Sequence, residues 1–148
     1  MCIPCYLYFS FGGNLVSQNI EDYLETIFLF IKEKKRPVKT TELARLMNVQ
    51  PAAVTSMAKK LSHDGLIHYE PYVGIYLDED GEEIAKNTLR KHRIIEYFLT
   101  EFLNLDLDFA KDEACKIEHV VSDKTIEKLY EFIDKPEKCP HGENINLK

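Results

Sequence analysis

The chain has 148 residues, which is enough for one domain or two small ones packed closely together. It is 45% hydrophobic and 30% charged, so it can bury a core, and no apolar run approaches the ~20 residues of a membrane span. Net charge is −6, which at first sight disfavours nucleic acid, but the charge is unevenly placed. Between Lys32 and Ser62 there are eight Lys/Arg and two Asp/Glu, a local +6, which leaves −12 for the remainder. One part is suited to an anion, the other to cations.

The four cysteines are few and scattered, which points to reduced thiols in a cytoplasmic setting rather than a disulfide framework. The opening "MCIPCYLYFSFGG" has no basic flank or small-residue cleavage site and makes a poor signal peptide. Residues 1–16 are expected to be an extension, either disordered or the product of a start assigned too far upstream. Cys2 and Cys5 form a CxxC that no second CxxC completes.

"NIEDYLETIFLFIKEKKR" places Ile20, Tyr23, Leu24, Ile27, Phe28 and Ile31 at helical spacing. Ser17 and Asn19 are its candidate caps, and Pro37 predicts an end near Lys35. "KTTELARLMNV" predicts a short helix capped by Thr40 or Thr41. Asn48 and Val49 turn the chain, and Pro51 opens a second helix that Gly65 closes. Two short helices joined by a tight turn predict a helix-turn-helix. "LIHYE" and "VGIYLDE" predict a hairpin turning over Pro71 to Gly74, which completes a winged helix.

A long helix is expected from Glu79 to Phe102. "LNLDLD" interrupts it, and a further helix is expected over Phe109 to Val121. Ser122 or Asp123 then caps a last helix carrying Ile126, Leu129, Tyr130 and Ile133, which Pro136 ends. The tail should be irregular. The fold class is therefore mainly α: a winged helix-turn-helix domain over 17–78, an all-helical domain over 79–135, and a tail over 136–148.

The second helix of such a motif enters the major groove N-terminal end first. Here that end offers Gln50, for a base edge or a phosphate, and Ala52 and Ala53, whose methyls suit thymine. Thr55, Ser56, Lys59 and Lys60 suit phosphates, as do Lys39 and Arg45 from the preceding helix. Lysines alone would more simply form a solvated face. The helix-turn-helix spacing, the wing and the local charge together favour double-stranded DNA.

Ligand-type side chains sit on three helices. Asp22 and Glu25 are one turn apart on the first, His92 and Glu96 on the long helix, and Cys115, Glu118 and His119 on the helix after it. Each has a plainer reading: helix-dipole charge for Asp22, solvation for Glu25, a satisfied core histidine for His92, surface for Glu118 and His119. Their recurrence in one small chain favours a borderline divalent ion such as Fe²⁺, Mn²⁺, Co²⁺ or Zn²⁺.

"EDYLETIF", "VTSMAKKLSHDGLI", "LRKHRIIEYFL" and "DEACKIEHVVSD" resemble the metal-dependent repressors of the diphtheria toxin repressor and manganese transport regulator group, from about Ser17 to Asn146. The resemblance implies a homodimer that binds palindromic operator DNA. It also implies Fe²⁺ or Mn²⁺ as co-repressor, with Co²⁺, Ni²⁺ or Zn²⁺ as substitutes in vitro, and metal bridging the two domains to control iron or manganese uptake genes. Asp22 looks like the manganese branch and Cys115 like the iron branch. His92 and Glu96 also match an ancillary site of the iron branch, whose further histidine falls on Lys111. The iron branch's C-terminal SH3-like domain is not matched, and "CPHGENIN" resembles the linker before it. Cys139 and His141 offer additional donors. A winged-helix regulator not gated by metal is the alternative. An enzyme is not expected, since no nucleophile elbow, phosphate loop or HExxH is present.

Overall fold

The computed structural model describes residues 15–147, with side chains from residue 19 onward. Cys2, Cys5 and the expected extension up to residue 14 lie outside the described residues. The chain forms α1 (Leu15–Lys34), α2 (Thr40–Leu46), α3 (Pro51–His63), β1 (Ile67–Glu70), β2 (Gly74–Leu77), α4 (Glu79–Glu101), α5 (Leu107–Ile117) and α6 (Asp123–Phe132). It divides into two compact units, one ending at Lys86 and the other beginning at Asn87, so the division falls inside α4.

In the first unit, α1 begins at Leu15, so Ser17 and Asn19 are helical rather than caps. An amphipathic stripe long enough to bury Tyr23, Leu24 and Ile27 carries the helix back past those polar residues. Lys35 adopts φ +56 and stops the helix two residues before Pro37. The cap of α2 is Lys39, not either threonine: Glu42 Oε2 accepts from the Lys39 N–H at 3.0 Å. Gln50 caps α3, Pro51 takes its first position, and Gly65 at φ +74 leaves it. Leu24, Ile27, Val38, Leu43, Val54, Leu61, Ile67 and Ile75 fill one core. Burial of each large aliphatic side chain contributes about 1.5–3 kcal/mol.

The wing pairs Ile67 with Leu77 and Tyr69 with Ile75, which puts His68 and Tyr76 on the open face. Val38 adds a bridge to Ile75 that no sequence pattern signals. The chain comes so close there that a side chain at Gly74, at φ +141, would meet the Val38 carbonyl at 2.9 Å. Gly81, in the first turn of α4, abuts the Leu66 carbonyl, with no room for a Cβ.

In the second unit, Asp106 caps α5 by accepting from Asp108 N and Phe109 N, and Ser122 caps α6 by accepting from Thr125 N. α5 stops at Ile117, earlier than the expected Val121, so Glu118 and His119 occupy the turn that ends it. Backbone bonds from Val120 and Val121 both fall on the Ile117 carbonyl, which closes that turn. The tail is more ordered than expected. Lys138 bridges Asn144, Gly142 turns the chain, and Cys139 and Ile145 join a second core with Ile94, Ile95, Ala110, Ala114, Ile126 and Ile133.

Candidate metal centre and nucleic-acid interface

The expected DNA contacts lie in the first unit. Lys39, Arg45, Gln50, Ala52, Ala53, Ser56, Lys59 and Lys60 are exposed on α2, α3 and the turn between them. Thr55 is partly exposed, and its hydroxyl donates to the Pro51 carbonyl at 3.0 Å. A recess of about 330 Å³ at that turn is lined by Thr41, Arg45, Asn48 and Gln50, among others. Arg36, inside the basic stretch, is committed elsewhere. It grips Glu42 with two hydrogen bonds of 2.9 and 2.6 Å and lies 4.9 Å over the Phe30 ring. The hydrogen bond from Arg36 holds the Glu42 carboxyl down at about 2. That pair fixes the entry to α2. Spacing alone does not reveal it, because the two residues belong to different elements.

Asp22 and Glu25 share a face of α1. Asp22 is partly buried, its carbonyl accepting from the Thr26 hydroxyl at 2.7 Å, and Glu25 is buried. The second unit brings the remaining expected ligands together. His92, Cys115 and Glu118 each offer a donor atom, and those atoms all lie within 4.8 Å of one another. His92 Nδ1 is 2.6 Å from Glu118 Oε2 and 3.6 Å from Cys115 Sγ. His119 Nε2 is 3.3 Å from Glu118 Oε1.

The helical frame explains the convergence. Leu89 and Ile95 are buried beside His92, so His92 can only point inward, and Ala110 and Ala114 seat α5 closely enough for Cys115 and Glu118 to reach it. Glu118, although past the last residue of α5, keeps helical φ and ψ of −56° and −32°, which preserves its one-turn spacing from Cys115. Cys115 offers its Sγ to this group, and it is the reduced thiolate that ligates a metal.

Glu96 is wholly buried one turn beyond His92. Its Oε2 is 3.2 Å from His92 Nε2, and its Oε1 is 2.7 Å from His141 Nδ1. Neither oxygen makes a hydrogen bond of good geometry, so the two imidazoles approach this carboxylate by distance without aligning on it. The result is a chain of alternating imidazole and carboxylate: His119, Glu118, His92, Glu96, His141. Both nitrogens of His92 face a carboxylate, yet a neutral imidazole has one N–H to give. Buried carboxylates are costly unless they are paired, and nitrogen, carboxylate and thiolate donors fit a borderline divalent cation. The sequence marks His141 as an additional donor but does not link it to Glu96. The link depends on the tail's turn at Gly142, and no short-range spacing signals it.

Residues 15–75 match the family model described as iron dependent repressor, N-terminal DNA binding domain, and residues 78–147 match iron dependent repressor, metal binding and dimerisation domain. A helix-turn-helix-type transcriptional regulator of Methanocaldococcus jannaschii is 58% identical over 120 residues, covering 81% of this chain and 96% of its own. The diphtheria toxin repressor of Corynebacterium glutamicum is 34% identical over 125 residues, covering 84% of this chain. This chain spans about half the length of that repressor, 54%. The solved structure of the manganese regulator SloR superposes with a TM-score of 0.76 at 37% identity, over 86% of this chain and 59% of that one.

Proposed function

The chain belongs to the iron-dependent repressor family, matched over both its DNA-binding and its metal-binding and dimerisation domains, and we propose that it represses iron or manganese uptake genes when a divalent cation is bound. The observation that carries this reading is the cluster of buried His92 and Glu118 with part-buried Cys115 in a chain whose other unit is a winged helix. His119 completes the set in the second unit. Asp22 and Glu25 are the ligands we assign to the first. Glu96 and His141 are a second candidate position next to the first, joined to it through His92.

The residues do the following. Without a cation, the carboxylates of the assigned ligand set would repel one another. Asp22, Glu25, His92, Cys115, Glu118 and His119 would hold a divalent cation, which would supply the positive charge that offsets those carboxylates. In a homodimer, operator binding needs two copies of α3 about one turn of DNA apart, ~34 Å. Gln50, Ala52 and Ala53 then meet base edges of a palindromic operator, while Lys39, Arg45, Thr55, Ser56, Lys59 and Lys60 hold phosphates. Metal and operator affinity rise together, and the coupling is reciprocal.

Fe²⁺ and Mn²⁺ are the cations we assign, with Co²⁺, Ni²⁺ or Zn²⁺ able to replace them in vitro. Among the described residues no helix is long and apolar enough to cross a membrane, and a repressor of this kind would act in the cytoplasm. The test is a gel-shift titration under anaerobic, reducing conditions with Mn²⁺, Fe²⁺ and EDTA. Tighter operator binding with metal is expected, and equal binding with and without it would sink the proposal.

A further inference from the structure

The tip of the wing carries a side chain that the fold does not use. Val73 N donates to the Glu70 carbonyl at 3.2 Å, which closes a four-residue turn over Pro71 and Tyr72. Proline fixes φ at about −65° in the second position of that turn, and Tyr72 takes φ +70 in the third. The combination is that of a type II turn, whose third position normally falls to glycine or asparagine, because other side chains are strained there. Packing returns nothing for the strain, since Tyr72 is 102% exposed. The hairpin beneath it is firmly held. Val38 exchanges hydrogen bonds of 3.2 and 2.9 Å with Ile75, and Gly74 lies against the Val38 carbonyl. Backbone strain kept without a local return points to a role outside the fold.

We propose that Tyr72 is a DNA-contacting residue, its phenolic O–H donating to a backbone phosphate beside the bases that α3 reads. The proposal rests on the DNA-binding reading and adds a contact to it. The occupant is duplex DNA because Tyr72 lies within residues 15–75, matched to a DNA-binding domain, and in the same unit as the local +6 of residues 32–62. β1 begins four residues after α3 ends, so the hairpin follows the recognition helix directly. The chemistry then narrows the contact. Residues 66–77 carry no Lys or Arg, and Glu70 stands two residues from the tip, so the wing has no ammonium or guanidinium to offer a phosphate. A neutral O–H still donates to a phosphate oxygen, and such a contact positions the protein without reading sequence. A side chain on a tip already held in place loses little freedom on binding. Charge patterning passes over a contact of this kind, because it adds nothing to the basic stretch.

Fluorescence anisotropy of the full chain, with Mn²⁺ and reductant present, tests this on a labelled duplex that the wild-type chain selects from a randomised pool. Tyr72→Gly removes the ring and relieves the strain. It should weaken binding roughly 10-fold, the low end for loss of a hydrogen bond to a charged acceptor. Its thermal transition should stay at or above that of the wild type, because glycine suits a positive φ. Tyr72→Phe keeps the ring and should lose most of the same affinity. The slope of log affinity against log salt should be unchanged in both, since a neutral phenol displaces no counterion. Wild-type affinity in either variant overturns the contact and leaves DNA binding through α3 intact. A lowered thermal transition in Tyr72→Gly shows that the ring serves the fold, and overturns it too. If sedimentation shows self-association lost while DNA affinity is kept, the tip belongs to a contact between chains and the proposal falls. A wild-type chain that selects no duplex overturns the repressor reading itself, and the contact with it.

Discussion

His92 Nδ1 lies 2.6 Å from Glu118 Oε2, and both residues are buried to 3% exposure. An imidazole from the middle of α4 and a carboxylate from the turn after α5 thus meet where little water reaches. Each has a second partner, Glu96 for the imidazole and His119 for the carboxylate. Glu118→Gln keeps the shape of the side chain and removes its charge. It should lower the affinity for Co²⁺ by more than the roughly 10–100-fold that loss of even an outer-shell partner costs. Anaerobic calorimetric titration measures this.

Metal choice turns on Cys115. A reduced thiolate favours Fe²⁺, Co²⁺ or Zn²⁺ over Mn²⁺, relative to a carboxylate at the same place. Cys115→Glu should shift relative affinity toward Mn²⁺ in competition titrations under reductant. Unchanged ratios would refute the assignment of Cys115 as a ligand.

DNA affinity should separate into positioning and reading. Replacing Lys59 or Lys60 with Ala should reduce the slope of log affinity against log salt by about 1 for each phosphate left without its lysine. Gln50→Ala should leave that slope alone. Its effect should instead fall on one base position, at about 1–3 kcal/mol. Binding assays at several salt concentrations on single-substitution operators distinguish the two effects.

The Arg36–Glu42 pair makes stability depend on acid. The hydrogen bond from Arg36, with help from the Lys39 N–H, holds the Glu42 carboxyl at about 2 rather than the ordinary 4.5. A lowered folded-state value means that the contribution is present above 4.5 and lost as pH falls from 4.5 toward 2. Glu42→Gln should cost about 1 kcal/mol at pH 7, the scale of a helix cap joined to an exposed ion pair. That deficit should shrink as pH falls below 4.5 and vanish only below about 2 in denaturant titrations.

Gly81 reverses an ordinary rule. Alanine in a helix is normally favoured over glycine by about 1 kcal/mol. Here the added methyl would collide with the Leu66 carbonyl. Gly81→Ala should therefore destabilise the first unit by about 1–3 kcal/mol, as overpacking does, read as a lowered thermal transition.

Much of the fold is legible because it is written in local chemistry. Pro51 at the start of α3, Gly65 at its end, Ser122 before α6 and the stripe Tyr23, Leu24, Ile27 all act within a turn or two of themselves. Local signals mislead where another interaction outweighs them. Ser17 and Asn19 are good caps by type, but the apolar stripe runs the helix past them. Glu42 reaches back to Lys39 and takes the capping role from the threonines.

By itself, the sequence determined which residues have ligand chemistry, which face of each helix they share, and that a basic helix-turn-helix precedes an acidic helical region. Spacing of 3.6 residues per turn is enough for that. Only the tertiary structure decided that His92 meets Cys115 and Glu118, that the tail returns His141 to Glu96, and that Val38 pins the wing through Ile75. Those contacts join residues from separate elements, and their partners are set by how buried surfaces pack, which no local period encodes.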